Sequence, residues 1–325
     1  MNDQETNMSS KKETKYYFEP NEELIPRNLT PDLEKYFYSY GRVLDEIVNF
    51  GSQVLSWRVQ HENGEYLNIP LMLIRDVMDL TDSCSLLLYH GAADPAKILA
   101  RSLFENFLYV TYLCQKDLKK RSYAYMFSSV LDDIKYHKTV LKDFSKNGGA
   151  KTSSLNGAQI CDIEELISHK QSLFQKPGFD DAYAYYCSEK ERRRQANIKR
   201  RLENWYSYYN GPENIRELSK ELGVEFAYSF FYSKYSKLAH GNETFLGKMV
   251  STGQNSADMY QLRSFISIHE VLVYVFMFST TCLVKYVSTV FPERSNELKL
   301  FQVWRERQLK IINESQKNRI FPEEY

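Results

Sequence analysis

Two charged residues and one imidazole stand in stretches of sequence that are otherwise apolar. Arg101 and Glu105 are four residues apart inside AKILARSLFENFLYVTYLCQK, so on a helix they share one face. Phe104, Leu108 and Tyr112 share or flank that face, and the segment is apolar at almost every helical angle, which predicts burial on all sides. An ion pair there is costly unless both members are hydrogen-bonded. Two roles fit it: a structural salt bridge that fixes packing, or a preorganised acid or anion-binding pair. The second element is FFYSKYSKLAHGN. Ser229, Ser233, Ser236 and His240 are spaced 4, 3 and 4 apart, which puts them within roughly 60° of one another on a regular helix. Phe226, Phe230, Phe231, Tyr235 and Leu238 fill the other faces. Gly241 is placed to end the helix in a left-handed conformation. His240 then occupies the last turn, where the helix dipole favours its protonated form. A histidine so placed serves as general acid or base; the alternative is a core histidine bonded to a backbone carbonyl.

Weaker signals flank these. Asp79, Ser83 and His90 lie on one side of a helix, with Asp82 near them, and together with Glu105 could ligate a metal. Nothing has HExxH or paired-cysteine spacing, so neither a metal nor another cofactor is expected. No Walker A loop, dinucleotide fingerprint or GxSxG occurs. The run ERRRQANIKRR carries Arg192, Arg193, Arg194, Lys199, Arg200 and Arg201, six cations that could hold an RNA strand or a membrane surface. Its bland alternative is a solvated face paired with Glu189, Glu191 and Glu203.

Composition limits the function classes. Lys plus Arg total 42, as do Asp plus Glu, for a net charge of zero, which argues against a dedicated duplex-DNA binder. Only 13 Gly and 9 Pro in 325 residues suit long helices rather than a many-stranded sheet. Five scattered cysteines, Cys84, Cys114, Cys161, Cys187 and Cys282, read as reduced thiols of a cytoplasmic protein. Residues 1–28 read as a polar, disordered tail without a signal-peptide core. The most apolar stretch, VLVYVFMFSTTCLV, has 14 residues, short of the about 20 of a usual membrane span, so a buried core helix is expected and no membrane partner.

The elements that must position these residues are helical. Thr30 and Pro31 mark an N-cap and N1, opening a helix over 31–59. Further helices are expected over 70–90, from an Asp94 and Pro95 start through the Arg101 segment, over 118–144, 160–175, 180–208, 212–222 with Gly223 as terminator, 224–240, 256–290 and 293–318. No segment alternates long enough to be a strand. The fold class is therefore all-α: a multi-helix bundle whose core halves, 29–145 and 224–325, flank a polar, loop-rich helical insertion or cap at 146–223. Phe301, Val303, Trp304, Leu309, Ile311 and Ile312 near the C-terminus offer apolar surface beyond what a solvated tail needs, and a homodimer would use it.

ILARSLFENFLYVTYL, followed much later by WYSYYNGPENIRELSKELGVEFAYSFFYSKYSKLAHGN, resembles the bacterial family numbered 5677 among domains of unknown function. Its Arg-x-x-x-Glu matches Arg101 and Glu105; its Tyr-x-x-x-Ser-x-x-x-His-Gly matches Tyr232, Ser236, His240 and Gly241. The resemblance covers roughly residues 35–290 and implies an all-helical bacterial protein without an assigned activity. A looser resemblance is to the HEPN helical ribonucleases of toxin–antitoxin and antiphage systems, whose motif is Arg, four to six residues, then His, usually combined across two protomers. Lys234 stands six before His240 in the arginine position. It lacks the planar fork that grips phosphate, and six residues is about 120° off-face. What these resemblances imply is an RNA-acting defence or toxin effector. His240, Arg101, Glu105, Ser236 and Lys234 would be its catalytic set. Tyr232, Asn242, Arg192, Arg193, Arg194, Arg200 and Arg201 would bind, and a partner protein of a defence system would be a candidate to act with it. The competing expectation is a non-enzymatic interaction or sensor protein whose Arg, Glu and His cluster is structural or binds a small ligand.

Overall fold

The protein is described from a computed structural model, which covers residues 18, 21–27, 29–58, 64–146, 157–199, 202, 204–239, 248–253 and 256–317. The expected N-terminal tail and the loop at 147–156 lie outside the described residues, apart from a few positions before α1.

Helix α1 spans Pro31–Arg58. Thr30 Oγ1 accepts from the Leu33 amide at 3.4 Å, the cap that the sequence announces. Its apolar face, with Phe37, Leu44, Ile47 and Val54 buried, lies along α2 (Asn68–Tyr89). The α2 helix ends at Gly91, φ 69°. There the Ala92 and Gly91 amides return to Leu87 O and Leu88 O, which satisfies carbonyls the helix would leave orphaned. A Cβ on Gly91 would fall 2.7 Å from the Phe37 ring, so this turn also sets how closely α1 approaches. Helix α3 (Ala93–Gln115) follows at once, with Ala92 in the cap position. Asp94 and Pro95 therefore sit inside the first turn rather than opening it, because the Gly91 turn has already fixed the chain direction.

Helices α1, α2, α3 and α10 (Ile268–Val290) pack mutually and hold the main core. Across it Thr81 Oγ1 and Ser279 Oγ share a buried hydrogen bond of 2.6 Å. The α10 helix is long and apolar enough to cross a membrane by length and composition, longer than its apolar stretch suggested, and 61% of that apolar window is buried inside the protein. The last helix, α11 (Ser295–Lys317), packs on α10.

Helix α4 (Leu118–Lys146) leaves this bundle. It carries a second apolar cluster, Phe127, Ile134, Ile167, Phe174, Phe179 and Tyr208 among its members, with α5 (Gly157–Ser172) and α6 (Phe179–Gln195). The α6 helix stops well short of the expected 208. Asn197, φ 53°, takes the left-handed position, and the Ile198 amide bonds back to Arg193 O. The chain then enters a 3₁₀ stretch, Trp205–Asn210, that buries Trp205, Tyr206 and Tyr208. Burial of three rings outweighs the modest helix propensity of that segment.

The return to the core runs through α7 (Ile215–Glu221), capped by Asn214 Oδ1 on the Glu217 amide at 2.9 Å and ended by Gly223, φ 73°, as its sequence signals predict. Next come α8 (Glu225–Ala227), a π-helical turn over Tyr228–Tyr232 and α9 (Ser233–Ala239). A small antiparallel hairpin, β1 (Met249–Gly253) and β2 (Ser256–Met259), precedes α10. It corrects the expected helix over 256–290, whose first third is too polar to hold a helical face against the core. The architecture is nonetheless all-α, as expected, with this hairpin as the sheet among the described residues.

Candidate functional site

Helix α3 brings Arg101 and Glu105 to the level of the π-turn, and Tyr232 closes the cluster. The Tyr232 hydroxyl donates to Glu105 Oε1 at 2.8 Å and accepts from Arg101 Nη2 at 3.0 Å. Arg101 Nη2 lies 3.2 Å from Glu105 Oε1. The guanidinium carbon is also 4.9 Å from the centroid of the Tyr232 ring, within cation–π reach. Three polar groups from two distant segments thus form one closed triangle. The Arg101 and Glu105 side chains keep 22% and 28% exposure. The helix is therefore not enclosed on every side, contrary to the sequence expectation: its charged edge reaches water beside α9.

The π-turn explains how Tyr232 arrives there. One residue more per turn shifts the register of everything after it. Phe231 is driven into the core against Phe104, Tyr235, Tyr274 and Phe278, and Tyr232 swings alongside Phe104 with its ring stacked on Tyr228 at 5.3 Å. The same turn breaks the serine stripe. Ser229 and Ser233 are exposed and Ser236 half-buried, and among the described residues no hydrogen bond joins Ser236 to Arg101 or Glu105. Phe226 and Phe230, on the faces away from the serines, are 71% and 60% exposed and stack on each other at 4.3 Å.

Burial, and then the Glu105 carboxylate, push the Tyr232 phenol up to about 12; Tyr109, one turn beyond Glu105, is also raised by burial and then by Glu105. Near neutral pH Tyr232 is therefore a protonated donor held between a carboxylate and a guanidinium. Arg101 Nε is buried and has no hydrogen-bond partner among the described residues. The cluster is formally neutral with one guanidinium donor unspent, an arrangement suited to recognising an anion or to stabilising developing negative charge.

The remaining expected site residues fall elsewhere. Lys234 is not free to stand in for an arginine: its Nζ lies 3.1 Å from Glu270 Oε1. The three arginines of α6 are engaged with glutamates rather than forming an open cationic track. Arg192 Nε and Nη2 donate to both oxygens of Glu189 at 2.6 and 2.7 Å. Arg193 is buried and reaches Glu189 at 2.6 Å and Glu213 at 3.2 Å. Arg194 pairs with Glu191 at 2.7 Å. Donation from Arg192 above all holds the Glu189 carboxyl down at about 2. The cause is the i, i+3 and i, i+4 spacing that the bland alternative anticipated. Among the metal-ligand candidates, Asp79 pairs with Arg75 at 3.1 Å and His90 is the exposed cap of α2; the described residues hold no group of three or more metal-ligating side chains. His240, Gly241, Asn242, Arg200 and Arg201 lie outside the described residues.

Sequence reasoning passed over a second polar network. Asp45 on α1 accepts from Ser85 Oγ at 2.5 Å and from the Tyr89 hydroxyl. Nothing local announces it, since Asp45 and Ser85 are far apart in sequence. Tyr109, four residues after Glu105, shares its helix face.

The family described as a family of unknown function (DUF5677) matches residues 67–257, more than half the chain. The chain belongs to this family. The DUF5677 match is narrower than the 35–290 that the motifs suggested, leaving out α1, α10 and α11. It contains both halves of the cluster, Arg101 and Glu105 near one end and Tyr232 near the other, together with Ser236 and His240. No curated protein and no solved structure matches the chain.

Proposed function

We propose that this DUF5677 protein is an RNA-acting effector of a bacterial defence or toxin system, working in the cytoplasm through a metal-independent site. One observation carries the reading: motif residues 131 positions apart, Arg101 and Tyr232, meet at a point that water reaches. In this reading Arg101 supports negative charge on a phosphate, Glu105 holds the guanidinium in place, and the protonated Tyr232 phenol orients it. His240, which the sequence places shortly after α9, supplies the general acid or base toward a 2′-hydroxyl. The α6 arginines have no part in it, since glutamates already hold them.

A second reading is favoured by a different observation. Arg192, Arg193, Arg194 and Lys234 are all ion-paired, and the cluster is itself neutral. A strand-binding protein ordinarily keeps cations for the phosphate backbone. On that ground the protein is a helical interaction or sensor module whose Arg101 cluster fixes the π-turn against α3. In either reading a second copy is the expected partner, through Leu300, Val303 and Ile311, which α11 leaves exposed. Phe301 and Ile312 point inward and do not contribute, contrary to the sequence expectation.

The experiment that separates the two is induction of wild type, Arg101→Ala and His240→Ala in bacteria, with growth and total RNA followed, and repeated during phage infection. Growth arrest with RNA fragmentation in the wild type alone supports the first reading. No fragmentation under either condition, and no RNA retained by purified protein at low salt, leaves the second. His240→Ala must keep the wild-type melting temperature for its result to count.

A further inference from the structure

A cleft of about 540 Å³ opens where the second cluster meets the start of α4. Asp117, just before α4, and Leu118, Lys119, Lys120 and Tyr123 of α4 line it, with Gly178 just before α6, Asp181 of α6 and Tyr209 from the 3₁₀ stretch. Its size is that of a small-molecule site. Three of its lining residues have left-handed backbone: Asp117 at φ 50°, Tyr209 at 58° and Gly178 at 90°. Asp adopts that conformation comparatively readily, but for Tyr209 it is costly and persists only where surrounding packing imposes it. Gly178 is needed for a second reason: a Cβ there would fall 2.5 Å from the Tyr123 ring, closing the wall.

The charges around the cleft balance. Lys119 and Lys120 line it together with Asp117 and Asp181, yet none of the four side chains is ion-paired among the described residues, although exposed charges elsewhere pair readily, as in Arg75 with Asp79 and Arg194 with Glu191. Lys120 instead lies over an aromatic face, 4.0 Å from the Tyr209 centroid, and Lys119 is 5.9 Å from that of Tyr66, outside the cleft lining. The first backbone bond of α4 runs from the Arg121 amide to Asp117 O, so the Leu118, Lys119 and Lys120 amides precede the helical ladder and add positive potential on the lysine side. On the α6 side the Asp181 amide is already spent on Asp180 Oδ1 at 2.9 Å, and the Asp181 carboxylate supplies the negative pole.

A polyanion in this cleft would face Asp117 and Asp181, and a polycation would face Lys119 and Lys120. A molecule carrying one anionic and one cationic group satisfies both poles, with Tyr123, Tyr209 and Leu118 left to contact an apolar or planar side chain. We infer that this cleft binds a small zwitterion of the free α-amino acid class, its carboxylate toward the start of α4 and its ammonium toward Asp181. The ligand would bridge α4 and α6, independently of the Arg101 cluster and of the function proposed for it.

The test is titration calorimetry of the full chain against pooled free L-amino acids, with adenosine monophosphate and spermidine as anionic and cationic controls. At least one amino acid should bind with a dissociation constant below about 1 mM. Asp181→Asn and Lys119→Gln, each with wild-type circular dichroism, should weaken binding at least about tenfold, and Arg101→Ala should leave it unchanged. Absence of binding by every pool, tighter binding of either control, or affinity retained in both cleft variants would overturn the inference. Two variants on opposite sides keep the result readable if one of them fails to fold.

Discussion

Tyr232→Phe isolates the contribution of one hydroxyl to the junction between α3 and the π-turn. The substitution keeps the ring, and with it the packing against Phe104 and Tyr228 and the cation–π contact with Arg101. It deletes two hydrogen bonds, one to Glu105 at 2.8 Å and one from Arg101 at 3.0 Å. Bonds to charged partners contribute about 1.5–3 kcal/mol each. Here the ion pair is about a quarter exposed, and water replaces part of what is lost, which brings the expected loss to about 1–2 kcal/mol in total. Urea unfolding followed by circular dichroism measures it. A double-mutant cycle with Glu105→Gln should return a coupling of at least about 0.5 kcal/mol. The pH dependence has a fixed sign. The folded state raises the phenol from its ordinary 10 to about 12, so it favours the protonated form. The contribution is complete below pH 10 and is lost as pH rises from 10 to 12; the gap between wild type and Tyr232→Phe should narrow over that window. A loss below about 0.3 kcal/mol at neutral pH, or strict additivity with Glu105→Gln, would refute the claim that the triangle holds the π-turn against α3.

Glu105→Ala strands Arg101 at a site that water reaches, so its cost should be about 1–3 kcal/mol, below the about 3–5 kcal/mol of a fully buried partner; chemical denaturation decides between the two. Glu189→Gln takes from the buried Arg193 its carboxylate partner at 2.6 Å, and should flatten the acid limb of the stability profile. The Glu189 carboxyl is depressed from 4.5 to about 2, so in the wild type its contribution is present above pH 4.5 and lost as pH falls toward 2; acid titration of the melting temperature reads this. Gly211→Ala should cost more than about 2 kcal/mol, because the new Cβ would lie 2.0 Å from Tyr206 O and 2.6 Å from the Tyr112 hydroxyl. A thermal melt within a degree of wild type would show that the 3₁₀ stretch yields more easily than its packing implies.

What the sequence determined by itself was the helical frame and one half of the site. The Thr30 cap, the Gly223 terminator and the apolar periodicity of α1, α2, α4 and α10 act within a few residues of one another, so they are legible without a fold. The spacing of Arg101 and Glu105 is local in the same sense, as is the pairing of the α6 arginines with Glu189 and Glu191 that its bland alternative foresaw. Tyr232 entered through a family motif, and its role could not be derived from its neighbours. Tertiary structure decided the rest. A π-turn is one residue of slippage that packing of Phe231 imposes, and no local preference reports it; it moved Tyr232 onto the ion pair and dispersed the serine stripe. The early end of α6 is a contest between helix propensity and the burial of Trp205, Tyr206 and Tyr208, settled by a core that forms only when α4 is in place. The exposure of Arg101 and Glu105 follows the same logic: an all-round apolar helix predicts enclosure, yet how much of its circumference is covered depends on how many neighbours reach it, and the edge beside α9 is left open to water.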